Sequence, residues 1–420
     1  MISVEEALGR VLDFVNVLEE EEKPLLDSLG QVLAEDVYAP FNVPLEDNSA
    51  MDGYAVQSES IAGASYDHPK VLRVIGEIAA GYVPEIKVEA STSARIMTGA
   101  SLPQGADAVV PFEDTDEIDR KQNSLSGNEI GIRRSLPEAT NIRRSGEDIA
   151  KGELVMRRGR LLRPAELGVL ASLGKETVSV IRRPIVGILA TGDELSDINQ
   201  PLRPGKIYNS NTYSLAAQVL SYGGTPRLLG IAPDNIGQLT KSLQRGLDCD
   251  MLITSGGVSL GDYDVVKQVL AAEGDISFWT VCMKPGKPLA FGTFKRDGGG
   301  IVPHLGLPGN PVSSMITFEV FARPAIFKMM GKANLTKPVI TAVMENSVKN
   351  NDGRRIFSRV IVHKRGNKYF ASLTGSQGSG ILTSMAQANG LAVIKETTRE
   401  IKPGNTVEVM MLDCDEIHNA

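Results

Sequence analysis

At 420 residues, 42% hydrophobic and 23% charged, with a net charge of −7 and a pI near 5.4, the chain is expected to be soluble, globular and long enough for roughly two to four domains. The acidic balance excludes a broad basic surface, and with it nonspecific nucleic-acid binding as the main function. No apolar run of about 18 residues and no secretory leader occurs, so no membrane partner is expected. Cys249, Cys282 and Cys414 form no C-x-x-C pair and the histidines no H-E-x-x-H, which excludes a disulfide framework and a conventional zinc site and fits a reducing cytoplasm.

Ser3-Val4-Glu5-Glu6 predicts a capping box. Ala7, Leu8, Val11, Leu12 and Val15 follow on one helical face, up to the acidic run Glu19 to Glu22, which reads as a solvated helix end. Residues 25–44 are apolar-periodic and end in extended, proline-marked chain. From Asp47 to Tyr54 small and acidic residues cluster without helical spacing, the pattern of an Asx-rich crossover between domains. Between Tyr54 and about Asn141 the helical period disappears. Short alternating runs such as Val71 to Ile75 and Ala94 to Met97 predict a small β-rich insertion, in which Thr98 stands before a glycine turn. Arg143 and Asp148 fall where the chain leaves this insertion and are candidates for an ion pair. Arg163-Pro164-Ala165-Glu166 then opens a helix that Gly174 closes.

The composition next becomes doubly wound. Strands are predicted near 184–190, 226–231, 251–254, 277–282 and 301–305, and helices near 211–222, 236–247, 263–272 and 312–329, with crossovers long enough to be parallel. Three glycine-rich turns follow the last apolar runs. Ser255-Gly256-Gly257-Val258-Ser259 sits between a strand and a helix, where glycines and a helix start cradle a phosphate. Lys284-Pro285-Gly286-Lys287-Pro288 sets two ammonium groups around a restricted turn, which suits a compact oxyanion. In Leu307-Pro308-Gly309-Asn310-Pro311, Asn310 takes the N-cap and Pro311 the first helical position, so the turn serves either as a helix start alone or as part of a site. Turns at strand ends line the edge where open α/β sheets bind ligands. Glu194, Asp234 and Asp264 each follow a strand end. Carboxylates sharing an edge need a cation or raised pKa values, so they, with Asp262 near by, are candidate Mg²⁺ ligands or water-positioning groups. After Gly331 alternating runs at 355–362 and 407–411 predict a small all-β domain.

Together SGGVSLGDYDVV, KPGKPLAFG and GLPGNPVSS, with ATGDEL at 190–195 and DNSAMDGYAV at 47–56, closely resemble the MoeA family of molybdopterin molybdenumtransferases, whose eukaryotic relatives include the gephyrin E domain. The sheet motif alone is also similar to MogA-type molybdopterin adenylyltransferases and to competence-damage proteins; DNSAMDGYAV and the flanking domains separate the two. The resemblance implies a multidomain α/β protein. Residues 1–53 with 142–176 would form an N-terminal helical and extended linker domain, 54–141 a β-rich insert, 177–331 a MogA-like, mostly parallel, doubly wound sheet domain, and 332–420 a small β-barrel-like domain.

It also implies roles. Asp52 becomes an essential carboxylate, Thr98 reaches the active site, and Arg143 and Asp148 rank behind them. Arg354, with Arg355 as the alternative, and Ser379 in Gly375-Ser376-Gln377-Gly378-Ser379 become oxyanion ligands facing Lys284 and Lys287. Ser255, Gly256, Gly257 and Ser259, with Pro308, Asn310 and Pro311, would contact the pterin adenylate. The implied reaction is Mg²⁺-dependent insertion of molybdate into adenylylated molybdopterin, releasing AMP and molybdenum cofactor. The implied assembly is a homodimer in which Asp52 and Thr98 reach the neighbouring subunit's cleft, with other molybdenum cofactor maturation proteins as partners. Two other classes compete: an adenylyltransferase that consumes ATP, and a non-catalytic molybdopterin-binding scaffold, against which the carboxylate set argues.

Overall fold

Six strands build the sheet that carries the glycine turns: β1 (Ile185–Thr191), β2 (Thr225–Ala232), β3 (Met251–Ser255), β4 (Gly274–Thr280), β5 (Pro288–Lys295) and β6 (Ile301–Leu307). The computed structural model describes residues 1–123, 128–257, 265–296, 298–413 and 418–419. These fall into two units, one of residues 1–23, 28–34 and 179–420, which holds this sheet, and one of residues 24–27 and 35–178.

The spatial order is β2-β1-β3-β6-β5-β4. β1 is parallel to β2 and β3, and β3 to β6, as expected of a doubly wound sheet. β5 was not expected as a strand. It lies antiparallel to both β6 and β4, so β4 is not paired with a parallel neighbour. The reason lies in the β5–β6 connection, where the Arg296 N–H donates to Gly300 O at 3.1 Å and Gly298, Gly299 and Gly300 all take positive φ. A link that short closes a hairpin and cannot cross over.

Alternation along the strands sends side chains to two cores. On one face Val186, Ile188, Met251, Ile253, Leu305 and Leu307 pack with Val4, Ala7 and Val11 of α1 (Val4–Asp13). On the other, Leu189, Leu252, Val302 and Phe294 pack with Leu239 and Leu243, and with Val269 and Leu270. The Ser3 hydroxyl caps α1 by accepting the Glu6 N–H at 3.0 Å, but the Glu6 carboxylate pairs with Arg10, so only half of the expected capping box forms. The acidic run is no helix end. Residues Glu20–Pro24 form a strand, because their exposure alternates with period two, and Glu21 and Lys23 meet on one face at 3.4 Å.

A long helical run begins at α2 (Pro311–Thr317), passes through a π turn at Phe318–Ala322 and continues to Met329. Beyond it, strands 355–365, 368–373, 339–344, 406–411 and 390–394 each pair with two neighbours and close a five-stranded barrel around Val360, Val362, Ala371, Ala392 and Val409. Met283 and Lys284 add to it in parallel, opposite Arg355 and Ile356.

In the other unit a five-stranded sheet has the order 108–111, 53–56, 92–96, 70–78, 129–132, which accounts for both alternating runs of the expected insertion. Pro164–Ser172 is helical as expected; the Glu166 carboxylate accepts the Arg163 N–H at 3.1 Å, and Gly174 takes φ +74° beyond its end. Among the described residues no helix is long and apolar enough to cross a membrane.

Candidate active site

Two of the three glycine turns are tied together by a side chain that sequence reasoning passed over. Asn211 Nδ2 donates to Ser255 Oγ at 2.7 Å and to Gly309 O at 2.8 Å. Gly256, at φ +104°, has no room for a Cβ, which would lie 2.6 Å from Thr191 O. Its N–H donates to Leu307 O at 3.1 Å. That N–H therefore belongs to the fold and is not a phosphate donor, which narrows the expected cradle to Ser255, Gly257 and the chain beyond. Ser259, Asp262 and Asp264 lie outside the described residues. At the third turn, Pro308 is buried, and Pro311 opens the helix while the Asn310 side chain makes no capping bond. Its amide stays exposed.

The second turn faces a cleft of about 370 Å³, lined among others by Lys284, Lys287, Ser313, Arg354, Arg359 and Ser379. None of the lining residues carries a carboxylate. Gly286 is required here as well, since at φ +101° its Cβ would stand 2.5 Å from Thr317 Oγ1 on the helix that the third turn starts. The loop bearing Ser379 docks on the start of that helix, where Val312 N donates to Ser379 O at 3.1 Å. Lysine turn, helix start and barrel loop thus share one cavity.

The two neighbouring arginines face different surroundings. Arg355 is turned to Glu5 and to Glu396, 3.0 Å away, whereas Arg354 lines the cleft and is ion-paired with Asp352. Sequence reasoning missed a third arginine. Arg359 is fully buried and has no carboxylate partner among the described residues. Its Nε donates to Ser384 Oγ at 2.7 Å, and Nη2 donates to Ser376 O and Gly378 O at 3.1 Å. Burial pushes its pKa below the ordinary arginine value. A buried cation without a counter-charge, beneath an open cleft, attracts an anion. The signal was present in the sequence, as an arginine inside the apolar run Ile356 to Val362.

At the carboxylate edge, Gly192 leaves space for Glu194 to fold back, since a Cβ there would sit 2.4 Å from Glu194 Oε2. The Asp234 N–H donates to Asp193 Oδ1 at 3.2 Å. Partial burial, then the charges of Asp193 and Glu194, raise the Asp234 pKa above the ordinary carboxylate value. Among the described residues no three His, Cys, Asp or Glu side chains group closely enough to hold a metal.

In the other unit Asp52 and Thr98 are brought together. Asp52 Oδ1 accepts the Thr98 N–H at 2.7 Å and the Thr98 hydroxyl at 2.8 Å, and these bonds, the backbone one first, hold its pKa below the ordinary range. The expected pairing of Arg143 with Asp148 is not formed. Arg143 lies opposite Asn48 in a two-residue ladder, and the ion pair at this corner is Arg144 with Asp47 at 2.6 Å, because the turn aims the second arginine at the aspartate. Asp148 lines a separate groove with Glu153, Glu166 and Arg160, whose mixed charges do not suit an anion.

Comparison with known proteins gives the family. Residues 2–174 match the MoeA N-terminal region (domain I and II), 187–328 a domain described as "Probable molybdopterin binding domain", and 341–412 the MoeA C-terminal region (domain IV). The chain is 38% identical to "Molybdopterin molybdenumtransferase 2" of Mycobacterium tuberculosis, over 97% of this chain and 99% of that protein. It is 35% identical to "Molybdopterin molybdenumtransferase" of Bacillus subtilis, over 98% and 94% respectively. The crystal structure of the molybdopterin biosynthesis moeA protein from Pyrococcus horikoshii OT3 superposes with a TM-score of 0.80 at 30% identity, covering 98% of this chain and 100% of that one. With a glycine-turn sheet, a cationic cleft against a closed barrel and full-length relatives of one kind, the chain belongs to the MoeA family.

Proposed function

We propose that this chain is a molybdopterin molybdenumtransferase of molybdenum cofactor biosynthesis, which takes molybdate and adenylylated molybdopterin and releases AMP and molybdenum cofactor. The observation that carries this reading is the cleft with four cations, Lys284, Lys287, Arg354 and Arg359, and no carboxylate in its lining. A small tetrahedral dianion cannot be held by shape alone and must exchange its hydration for charge and donors. Lys287 and Arg359, which have no carboxylate partner among the described residues, supply charge, and Ser313 and Ser379 supply hydroxyls on the same cavity. Ser255 and the Asn310 amide, held in register by Asn211, suit the pterin and its phosphates.

Mg²⁺ fits the opposite need. Asp234 has a raised pKa beside Asp193 and Glu194, a repulsion that a cation relieves. Glu194 and Asp234 would hold it with Asp264, and when bound it supplies Lewis acidity at the phosphoanhydride. The chain's own work is to hold the dithiolene, the phosphates and the oxyanion along one sheet edge, so that cleavage of the anhydride accompanies metal transfer.

The assembly proposed is a cytoplasmic homodimer, possessing two such clefts and open to maturation partners, with Asp52 and Thr98 completing the neighbour's site. Asp52 is exposed and bonded through its side chain to Thr98, an ionised acceptor on display. Mixing an inactive Asp52→Ala chain with an inactive Glu194→Gln chain should restore part of the activity. No recovery despite demonstrated subunit exchange would count against a shared site. The reaction itself is tested by incubating the protein with adenylylated molybdopterin, Mg²⁺ and molybdate, and assaying AMP and active cofactor. Consumption of ATP with no molybdate requirement would make it an adenylyltransferase instead.

A further inference from the structure

Two of the four cations in the cleft are already engaged. Asp352, which is not among the lining residues, reaches both: its Oδ2 accepts from Arg354 Nε at 3.2 Å and from Arg354 Nη2, and lies 3.5 Å from Lys284 Nζ. Lys287 and Arg359 have no carboxylate partner among the described residues. The loop that carries Asp352 is fixed on both sides. Asn350 is buried, donates through its side chain to Arg354 O at 2.8 Å and to Lys395 O at 3.3 Å, and donates its N–H to Arg399 O at 2.8 Å. Gly353 O accepts from Cys282 Sγ at 3.5 Å. The Asp352 side chain itself is 36% exposed, so its carboxylate can turn into water by a rotamer change while the loop stays in place.

Resting on the reading of this cleft as the molybdate site, we propose that Asp352 is an internal counter-ion of that site, a carboxylate that the incoming dianion displaces from Lys284 and Arg354, and a source of selectivity for dianions over monoanions. A monoanion that takes the place of a carboxylate exchanges one negative charge for one and gains nothing from these cations. A dianion brings a second charge to the same two partners and to the unshared Lys287 and Arg359. The bond from Arg354, ahead of the neighbouring charges, holds the Asp352 pKa below the ordinary carboxylate value.

A purely positioning role, with Asp352 holding Arg354 ready for the oxyanion, leads to the opposite outcome, which makes the test two-sided. Molybdate binding to the full-length parent and to Asp352→Asn is measured by titration calorimetry at fixed ionic strength, with chloride or a bulky organic anion as the salt. The variant should bind molybdate about 3- to 10-fold more tightly, the range expected on removing an exposed ionic competitor shared by two cations. Chloride should weaken binding clearly in the variant and little in the parent. Asp352→Ser, with its melting curve as a folding control, should show the same gain. Unchanged or weaker molybdate binding in both folded variants overturns the counter-ion role. A parent that binds no molybdate overturns this proposal together with the site reading, whereas a parent whose binding is lost in Lys287→Gln but unchanged in Asp352→Asn leaves the site standing without its counter-ion.

Discussion

Replacing Arg359 by methionine removes a charge from the cleft while keeping much of the side-chain volume. Hydrogen bonds to charged groups contribute about 1.5–3 kcal/mol, so molybdate should bind about 10- to 150-fold more weakly when this guanidinium is gone. The change also removes the guanidinium donors from Ser376 O and Gly378 O, both 3.1 Å from Nη2, and from Ser384 Oγ, 2.7 Å from Nε, while Gly378 O keeps the bond from the Ile381 N–H at 3.3 Å. Ser376 and Gly378 are exposed, so water can replace two of these bonds, and the loss in stability should stay at about 1–3 kcal/mol. Arg359→Lys restores the charge but not the fork that joins the loop to the strand, so its affinity should fall between the parent and Arg359→Met. The assay is titration calorimetry with molybdate at fixed salt, with urea unfolding alongside to separate loss of fold from loss of charge. A folded Arg359→Met that binds molybdate within about two-fold of the parent would refute the electrostatic argument, since the change removes roughly the energy of one charge-assisted bond.

The lysines of the turn should not be equivalent: Lys287→Gln is expected to weaken molybdate binding more than Lys284→Gln, because the Lys284 charge is shared with Asp352, and equal losses in the same titration would contradict this. Gly256→Ala forces a Cβ to within 2.6 Å of Thr191 O at φ +104°, and should lower stability by about 2–4 kcal/mol from steric strain and backbone handedness together; an unshifted urea midpoint would show that the turn relaxes. Glu166 is buried, and its bonds from Arg163 first and Arg160 next hold its carboxyl down to about 2 from an ordinary 4.5. A depressed folded-state pKa means stability that is present above the unfolded value and lost as pH falls, so the parent's melting temperature should drop more steeply than that of Glu166→Gln between roughly pH 5 and 3. Parallel curves for the two proteins would remove Glu166 from the acid response.

The sheet was legible because each buried strand ends in a glycine turn, and apolar run, turn and helix spacing are all local signals. What could not be read locally was β5. Its strand residues, Pro288 to Lys295, directly follow the prolines and glycine of the lysine turn, and only the hairpin with β6 shows that they pair. Glu20–Pro24 failed for a related reason: four charged residues in succession suggest solvent, while pairing and alternating exposure depend on what lies beside them. Within the site, residues on tight turns were found and residues that support them from strands or helices were not. Asn211 acts through contacts across long sequence separations, so no spacing betrays it, whereas Arg359 left only the trace of a charge inside an apolar run. The expected pairing of Arg143 with Asp148 missed both partners, since the ion pair at this corner is Arg144 with Asp47, set by a turn and not by a charge pattern.

Lys284 is at once part of the cationic cleft and, through its backbone, an added rung of the barrel sheet, opposite Ile356. The order of synthesis then matters. When the ribosome has completed β6 and its following helix, the α/β sheet can fold, but the lysine turn has no ladder to lie on, and Arg354, Arg359 and Ser379 have not yet been made. The cationic cleft is therefore completed only with the last quarter of the sequence, and a nascent or prematurely terminated chain, however well its sheet has formed, would lack the site proposed for molybdate.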